Sequence, residues 1–160
     1  MIKPLEPADL PLAAEIIRAS FATVAEQFGL TEQNCPRHTA FAVTAEKLEA
    51  YLAAGALMYG FYEDDRPVGY AALTKNGRRV FEIHNLAVLP ACRHSGYGKQ
   101  LLDFCKAKVK ELKGKKIVLS IIEENTVLKD WYAANGFVQT GTKKSDFFPF
   151  TSGYMEYTIR

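Results

Sequence analysis

The chain has 160 residues, 48% of them hydrophobic, with a formal net charge of +2 at pH 7 and a pI near 8.4. That is enough chain for one globular domain, residues 1–160, with a real core, and too balanced a charge for a dedicated nucleic-acid binder. Cys35, Cys92 and Cys105 are odd in number without framework spacing, no secretory h-region opens the chain and no apolar run reaches membrane-spanning length, so a cytoplasmic protein with reduced thiols and no membrane partner is expected.

In chain order, a short strand is expected near residues 1–4, then a helix in which Leu12, Ile16, Ile17 and Phe21 repeat at helical spacing. Asp9 is its expected N-cap, and Pro11 falls in the first turn, where a missing N–H costs little. Residues 29–42 show no period and read as a loop. Thr44 is the expected N-cap of a second helix reaching about Ala54, with Gly55 ending it and Glu46 well placed against the helix dipole. Lys47 at the third helical position leaves no reciprocal capping box.

From residue 56 the pattern turns to strands: Leu57–Tyr62 up to a Glu-Asp-Asp-Arg turn, Val68–Thr74 up to the hairpin signal Asn76-Gly77, then Val80–Val88. The apolar run stops at Pro90. Arg93, Gly96 and Gly98 form an Arg-x-x-Gly-x-Gly loop, after which Leu101, Leu102, Cys105, Val109 and Leu112 follow one helix face. A glycine-rich strand-to-helix turn presents unpaired N–H groups at the positive end of a helix dipole, and its glycines let the backbone approach a diphosphate. Lys99 is followed by Gln100 rather than Ser or Thr, so this is no Walker loop. Its place after hairpin strands argues against a Rossmann fingerprint.

Further on, Ile117–Ile122 reads as a strand, Asn125 as the cap of a helix ended by Gly136, and Phe137–Thr142 and Tyr154–Ile159 as closing strands. Antiparallel strands followed by one strand–helix–strand crossover imply a mixed sheet with helices on its faces. The tract Asn125-Thr-Val-Leu-Lys-Asp-Trp-Tyr132-Ala-Ala-Asn-Gly136-Phe137 comes one helix and one strand after the glycine loop.

With both tracts in this order, residues 80–140 resemble the GNAT superfamily of acyl-CoA-dependent N-acyltransferases. The resemblance implies an α/β (α+β) fold, a central mixed sheet of about six or seven strands flanked by about four helices. It implies acetyl-CoA as acyl donor, an amine acceptor, no metal, and direct transfer in a ternary complex without a covalent acyl-enzyme. It assigns the loop residues Arg93, His94, Ser95, Gly96, Tyr97, Gly98 and Lys99 to the pyrophosphate, His94 being an anion contact or a spectator. The main chain of Leu86, Ala87 and Val88 would pair with the pantetheine arm, one N–H there polarising the thioester carbonyl. Asn125 would bond the same arm besides capping its helix, and Tyr132 would face the cofactor sulfur.

The chemistry makes two demands. An alkyl amine has a pKa near ~10.4 and must lose a proton to attack; the leaving thiolate, of reference pKa ~8.5, departs more easily beside a hydrogen-bond donor. Tyr132 is the candidate donor, with a packed core tyrosine beside Trp131 as the alternative. Glu82 and His84 are the candidate bases, sharing one strand face at i, i+2 spacing. Members of the family often carry a Glu near the position of Glu82, while His84 is of the residue type that serves most often as a base near neutral pH. For each the alternative is a polar residue on a half-solvated face.

Cys35 with His38, and Cys92 with His94, match no structural zinc spacing, so no metal is expected. Lys106, Lys108, Lys110, Lys113, Lys115 and Lys116 read as the solvated face of a helix and its exit. Residues 29–42 and the aromatic tract 146–151 are the candidate walls of an acceptor pocket or else packed loops, and a homodimer stays open. The rival function is a degenerate acyl-CoA-binding sensor without catalysis.

Overall fold

The computed structural model describes all residues, Met1–Arg160. Seven strands form one sheet: β1 (Ile2–Pro4), β2 (Leu57–Glu63), β3 (Arg66–Lys75), β4 (Val80–Val88), β5 (Lys116–Ile122), β6 (Val138–Lys144) and β7 (Thr151–Thr158), in the order β1-β2-β3-β4-β5-β7-β6. Five helices accompany them: α1 (Leu10–Gln27), α2 (Thr39–Ala42), α3 (Ala45–Ala53), α4 (Tyr97–Glu111) and α5 (Thr126–Ala134). β4 and β5 pair in parallel; β1–β2, β2–β3, β5–β7 and β6–β7 pair antiparallel, so the sheet is mixed as expected.

The chain divides into two compact units, one of residues 1–74 and 83–105, the other of 75–82 and 106–160. In the first, β3 is buried almost end to end because helices cover both of its faces. Leu10, Ala13, Ala14 and Ile17 of α1 and Leu48 of α3 pack on Met58, Tyr62, Tyr70 and Ala72. On the other face the first turns of α4 lie against Tyr59, Phe61 and Gly69. Gly69 is where α4 comes closest: a Cβ there would meet Leu101 at 3.0 Å, Phe61 at 3.1 Å and the Ala87 carbonyl oxygen at 3.3 Å.

In the second unit Val109, Phe81, Ile117, Leu119, Met155 and Phe137 form the buried layer. Tyr132 stacks edge-on to Trp131 and Phe137, and Phe137 leans on Tyr157. The parallel ladder runs over three pairs, Val80–Lys116, Phe81–Ile117 and Glu82–Val118; the rest of β4 belongs to the first unit. β6 is exposed throughout and forms an edge of the sheet.

Several local expectations hold. Thr44 Oγ1 accepts from the Lys47 N–H at 3.2 Å, Asn125 Oδ1 accepts from the Leu128 N–H at 3.2 Å, and Gly55 and Gly136 close their helices at positive φ. Others are corrected. Asp9 precedes α1 but does not cap it: a 3-10 turn, Pro7–Asp9, comes first, and the carboxylate accepts instead from Tyr62 O–H and Glu6 N–H. The supposed loop 29–42 contains α2, whose one turn is too short to show a period; His38 Nδ1 caps it from the Ala40 N–H. Leu112 lies past the end of α4 and is exposed rather than continuing its apolar face. The β3–β4 turn is longer than a two-residue Asn-Gly loop: the Asn76 N–H bonds the Val80 carbonyl, and Gly77 and Arg79 take positive φ. Phe137 is core rather than strand, and β7 begins at Thr151 rather than Tyr154.

Candidate active site

In the first unit, β4 leads through a 3-10 turn (Pro90–Cys92) into the loop 93–96 and then α4. His94 and Gly96 both adopt left-handed backbone, φ 65° and 80°. Nothing lies within 4 Å of a Cβ built at Gly96, so the space above the loop is open and glycine is there for its backbone freedom. The Gln100 N–H bonds the Gly96 carbonyl, which makes it the first i→i−4 bond of the helix. The N–H groups of Tyr97, Gly98 and Lys99 therefore precede the helical ladder at the positive end of the α4 dipole, an arrangement suited to an anion.

The loop is fastened from two sides. Arg93 does not point at open solvent: its guanidinium donates to the Ser20 carbonyl (3.0 Å), Ser20 Oγ (3.1 Å) and Thr23 Oγ1 (3.1 Å) on α1. From β2, the Glu63 carboxylate accepts from Tyr97 O–H at 2.8 Å and from the Cys92 thiol at 3.6 Å, and the Tyr97 ring stacks on Phe61 with centroids 4.1 Å apart. Lys99 is ion-paired to Asp103 at 2.8 Å, an exposed i, i+4 pair of roughly 0.3–0.5 kcal/mol, weak enough for the ammonium to move to a better anion. His94 and Ser95 are exposed.

Leu86, Ala87 and Val88 sit on the last part of β4, Ala87 buried and its neighbours half-buried. Asn85 just before them has φ 53° in mid-strand, with Thr39 Oγ1 donating to its Oδ1 at 3.5 Å. Asn is among the few non-glycine residues that tolerate this conformation. His84 Nε2 is hydrogen-bonded to Thr74 Oγ1 at 2.8 Å.

In the second unit, Glu82 accepts from Asn76 Nδ2 at 2.9 Å. Both line a half-open cavity of about 290 Å³ together with Val118 and Ser120 of β5, Thr140 of β6 and Tyr154 of β7. The register Glu82–Val118–Glu156 and Ser120–Tyr154 places these strand residues in adjacent rows on one face. The tract 146–151 does not form its walls: Phe148 and Phe150 stack on each other, Lys144 Nζ donates to both their carbonyls, and Glu124 accepts from the Thr151 N–H. In the other tract considered for that role, in the first unit, Cys35 and His38 are buried.

Asn125 is buried, its Oδ1 used by the cap, and Tyr132 is buried in its aromatic cluster. Burial raises the Cys35 thiol and pushes Cys105 up to about 12; burial and the Glu63 carboxylate raise Cys92. None of the three is poised as a thiolate nucleophile. Glu63, Ser20, Thr23 and Asn85 in the first unit, and Asn76, Ser120 and Tyr154 in the second, were missed by sequence reasoning. They are ordinary polar residues: Glu63 and Asn76 fall in turn signals that mark chain reversal rather than a site, and only Asn85 carries a weak signal, in its residue type.

The sequence model of the Acetyltransferase (GNAT) family matches residues 23–137, and the chain belongs to that family of acyltransferases. An uncharacterized N-acetyltransferase from the pepI 3′ region of Lactobacillus delbrueckii subsp. lactis is 28% identical over 143 residues, 82% of this chain and 80% of that one. The PaiA N-acetyltransferase of Thermoplasma acidophilum, solved in complex with coenzyme A, superposes with a TM-score of 0.83 at 21% identity, covering 99% of this chain and 98% of its own. YncA of Salmonella typhimurium, a putative acetyltransferase solved with acetyl-CoA, gives 0.77 at 17% identity over 100% and 94%. No helix is long and apolar enough to cross a membrane.

Proposed function

We propose that this chain transfers the acetyl group of acetyl-CoA to a primary amine by direct attack, with residues 1–160 acting as one catalytic domain. The observation that carries the reading is the loop 93–99. Its left-handed Gly96, open space and pre-helical N–H groups suit a pyrophosphate, and the family and its coenzyme A-bound structural relatives supply the donor. The amides of residues 96–99 hold the diphosphate, Lys99 leaves Asp103 to join it, and Arg93 keeps the loop in shape from α1. Leu86–Val88 offer main-chain groups to the pantetheine arm and the thioester carbonyl, with Asn125 at the same arm.

Glu82 takes a proton from the ammonium group, directly or through water. The neutral nitrogen then forms the N–C bond as the C–S bond breaks. Tyr132 donates a hydrogen bond to the departing sulfur, and the second nitrogen proton ends on the thiol; the products are an amide, free coenzyme A and one proton released to solvent. Direct transfer agrees with three thiols whose surroundings all raise their pKa. His84 is tied to Thr74 and is the lesser base.

The test is thiol release from acetyl-CoA across a panel of amines, with the amide identified by mass spectrometry. Glu82→Gln is expected to lose about 10²–10⁴-fold near neutrality and to recover partly as pH rises, because more amine is then already neutral. His84→Ala is expected to retain most of the rate. Coenzyme A binding without thiol release for any amine would favour the sensor instead.

A further inference from the structure

We infer that two adjoining turns of the second unit form a docking surface for double-stranded nucleic acid, held through its phosphates without regard to sequence. The whole-chain charge of +2 hides this surface, because it averages two units of opposite sign. The second unit holds thirteen lysines and arginines against seven acids, the first unit seven against eleven. In the second unit the unpaired excess gathers where the β3–β4 turn meets the α4–β5 turn. The Arg79 carbonyl accepts from the N–H groups of Lys115 at 2.7 Å and Lys116 at 3.3 Å, so backbone bonds lock the two turns together. Arg78 and Arg79 stand on one turn, Lys113 and Lys115 on the other. Lys75 leads into the first, and Lys110, whose carbonyl accepts from the Lys113 N–H at 3.0 Å, into the second. All six are exposed, and none is ion-paired. The neighbouring acids are already engaged, Glu111 by Lys108 at 3.1 Å and Glu156 by Lys116 at 3.4 Å. Arg79 and Lys113 also take left-handed backbone, φ 60° and 64°, which glycine or asparagine adopts with less strain. Cations at both strained positions point to a use for the charge.

Chemistry selects the partner. A protein interface wants an apolar centre and few lysines, and Leu112 is the one large apolar side chain exposed on these turns. A stable membrane anchor needs a lipid chain or an amphipathic face beside its basic cluster, and a lone leucine is neither. Single strands are held by aromatic side chains on which bases stack, and the two turns contain no aromatic residue. Clustered, unpaired lysine and arginine without stacking groups suit the closely spaced phosphates of a duplex, where each contact releases a condensed counterion. The first unit, with its excess of acids, repels the same polymer, so binding is confined to the basic turns.

The experiment is fluorescence anisotropy of the whole protein with two labelled DNA duplexes of unrelated sequence, about 20 base pairs long, between about 50 and about 200 mM salt. Both should bind alike, with a Kd of about 10⁻⁶–10⁻⁵ M at the lower salt. The plot of log affinity against log salt should have a slope of about −4 to −5, since each phosphate contributes ~0.9. Arg79→Gly with Lys113→Gly removes two cations and relieves the left-handed strain, so this variant should melt no lower than the parent. It should nonetheless lose at least about ten-fold in affinity and about two units of slope, with coenzyme A affinity unchanged. Lys47→Ala, an exposed cation of the first unit, should leave the slope and the affinity as they were. No binding of either duplex at the lower salt, a double variant that binds as tightly as the parent, or a preference above about ten-fold for one duplex overturns the inference. So does tighter binding at equal salt to phosphatidylserine vesicles or to poly-glutamate, which would assign the surface to a membrane or to an acidic protein.

Discussion

The glycine-rich loop of the first unit and the strand cavity of the second are built in opposite ways. The loop presents backbone: three pre-helical N–H groups, a left-handed glycine and a helix dipole, an arrangement suited to an anion. Side chains fasten it, Arg93 to α1 and Glu63 to Tyr97 and Cys92. The cavity is built the other way, from side chains on four strands around one carboxylate. A backbone surface tolerates changes of side chain, whereas a cavity of side chains changes with each residue that lines it.

The largest effect should come from attacking the loop backbone. Gly96→Val with Gly98→Val should weaken acetyl-CoA binding at least about a hundred-fold, since two charge-assisted bonds of roughly 1.5–3 kcal/mol each are blocked. Calorimetry reads the affinity and circular dichroism the fold. A folded double variant with normal affinity would move the donor site off this loop.

Tyr132→Phe tests the chemistry without touching the loop. Turnover should fall about 10²–10³-fold with donor affinity kept within a few-fold, the signature of a bond that matters only as sulfur departs. Full activity would leave Tyr132 as packing among Trp131 and Phe137.

Smaller is the effect expected of the fastener Glu63. Glu63→Ala should raise the donor Kd roughly ten-fold, about one hydrogen bond, while kcat at saturating donor stays put. Glu63→Gln keeps an acceptor for the Tyr97 hydroxyl and should restore most of the affinity. If alanine and glutamine behave alike, the clamp is not what holds the loop.

Weakest is a pH effect on stability at His38. Burial lowers its pKa, so the folded state binds a proton less readily than the unfolded chain. Its stabilisation is full above the ordinary histidine value of ~6.5 and is lost as pH falls through the lowered one. His38→Asn keeps a capping acceptor for the Ala40 N–H and should lose less stability than the parent in urea melts between about pH 7.5 and about pH 5. Equal losses would assign the acid sensitivity to other groups.

The contrast between the two regions also explains what could be read in advance. By itself the sequence determined the glycine-rich turn into α4, the parallel crossover around it, the caps Thr44 and Asn125 and the run Val80–Val88, because each is a local pattern whose physics acts within a few residues. Backbone demands for glycine, a cap or a period leave a mark at fixed spacing. Tertiary structure alone decided the rest. It tied Arg93 to α1, gave Asp9 to Tyr62, folded a single-turn helix inside an aperiodic stretch and set Asn85 of β4 at positive φ. It also brought Asn76, Glu82, Ser120, Thr140 and Tyr154 around one cavity. Asn76 and Glu82 apart, those partners are well separated in the chain, and strand register, which depends on how whole faces bury against each other, is what makes them neighbours.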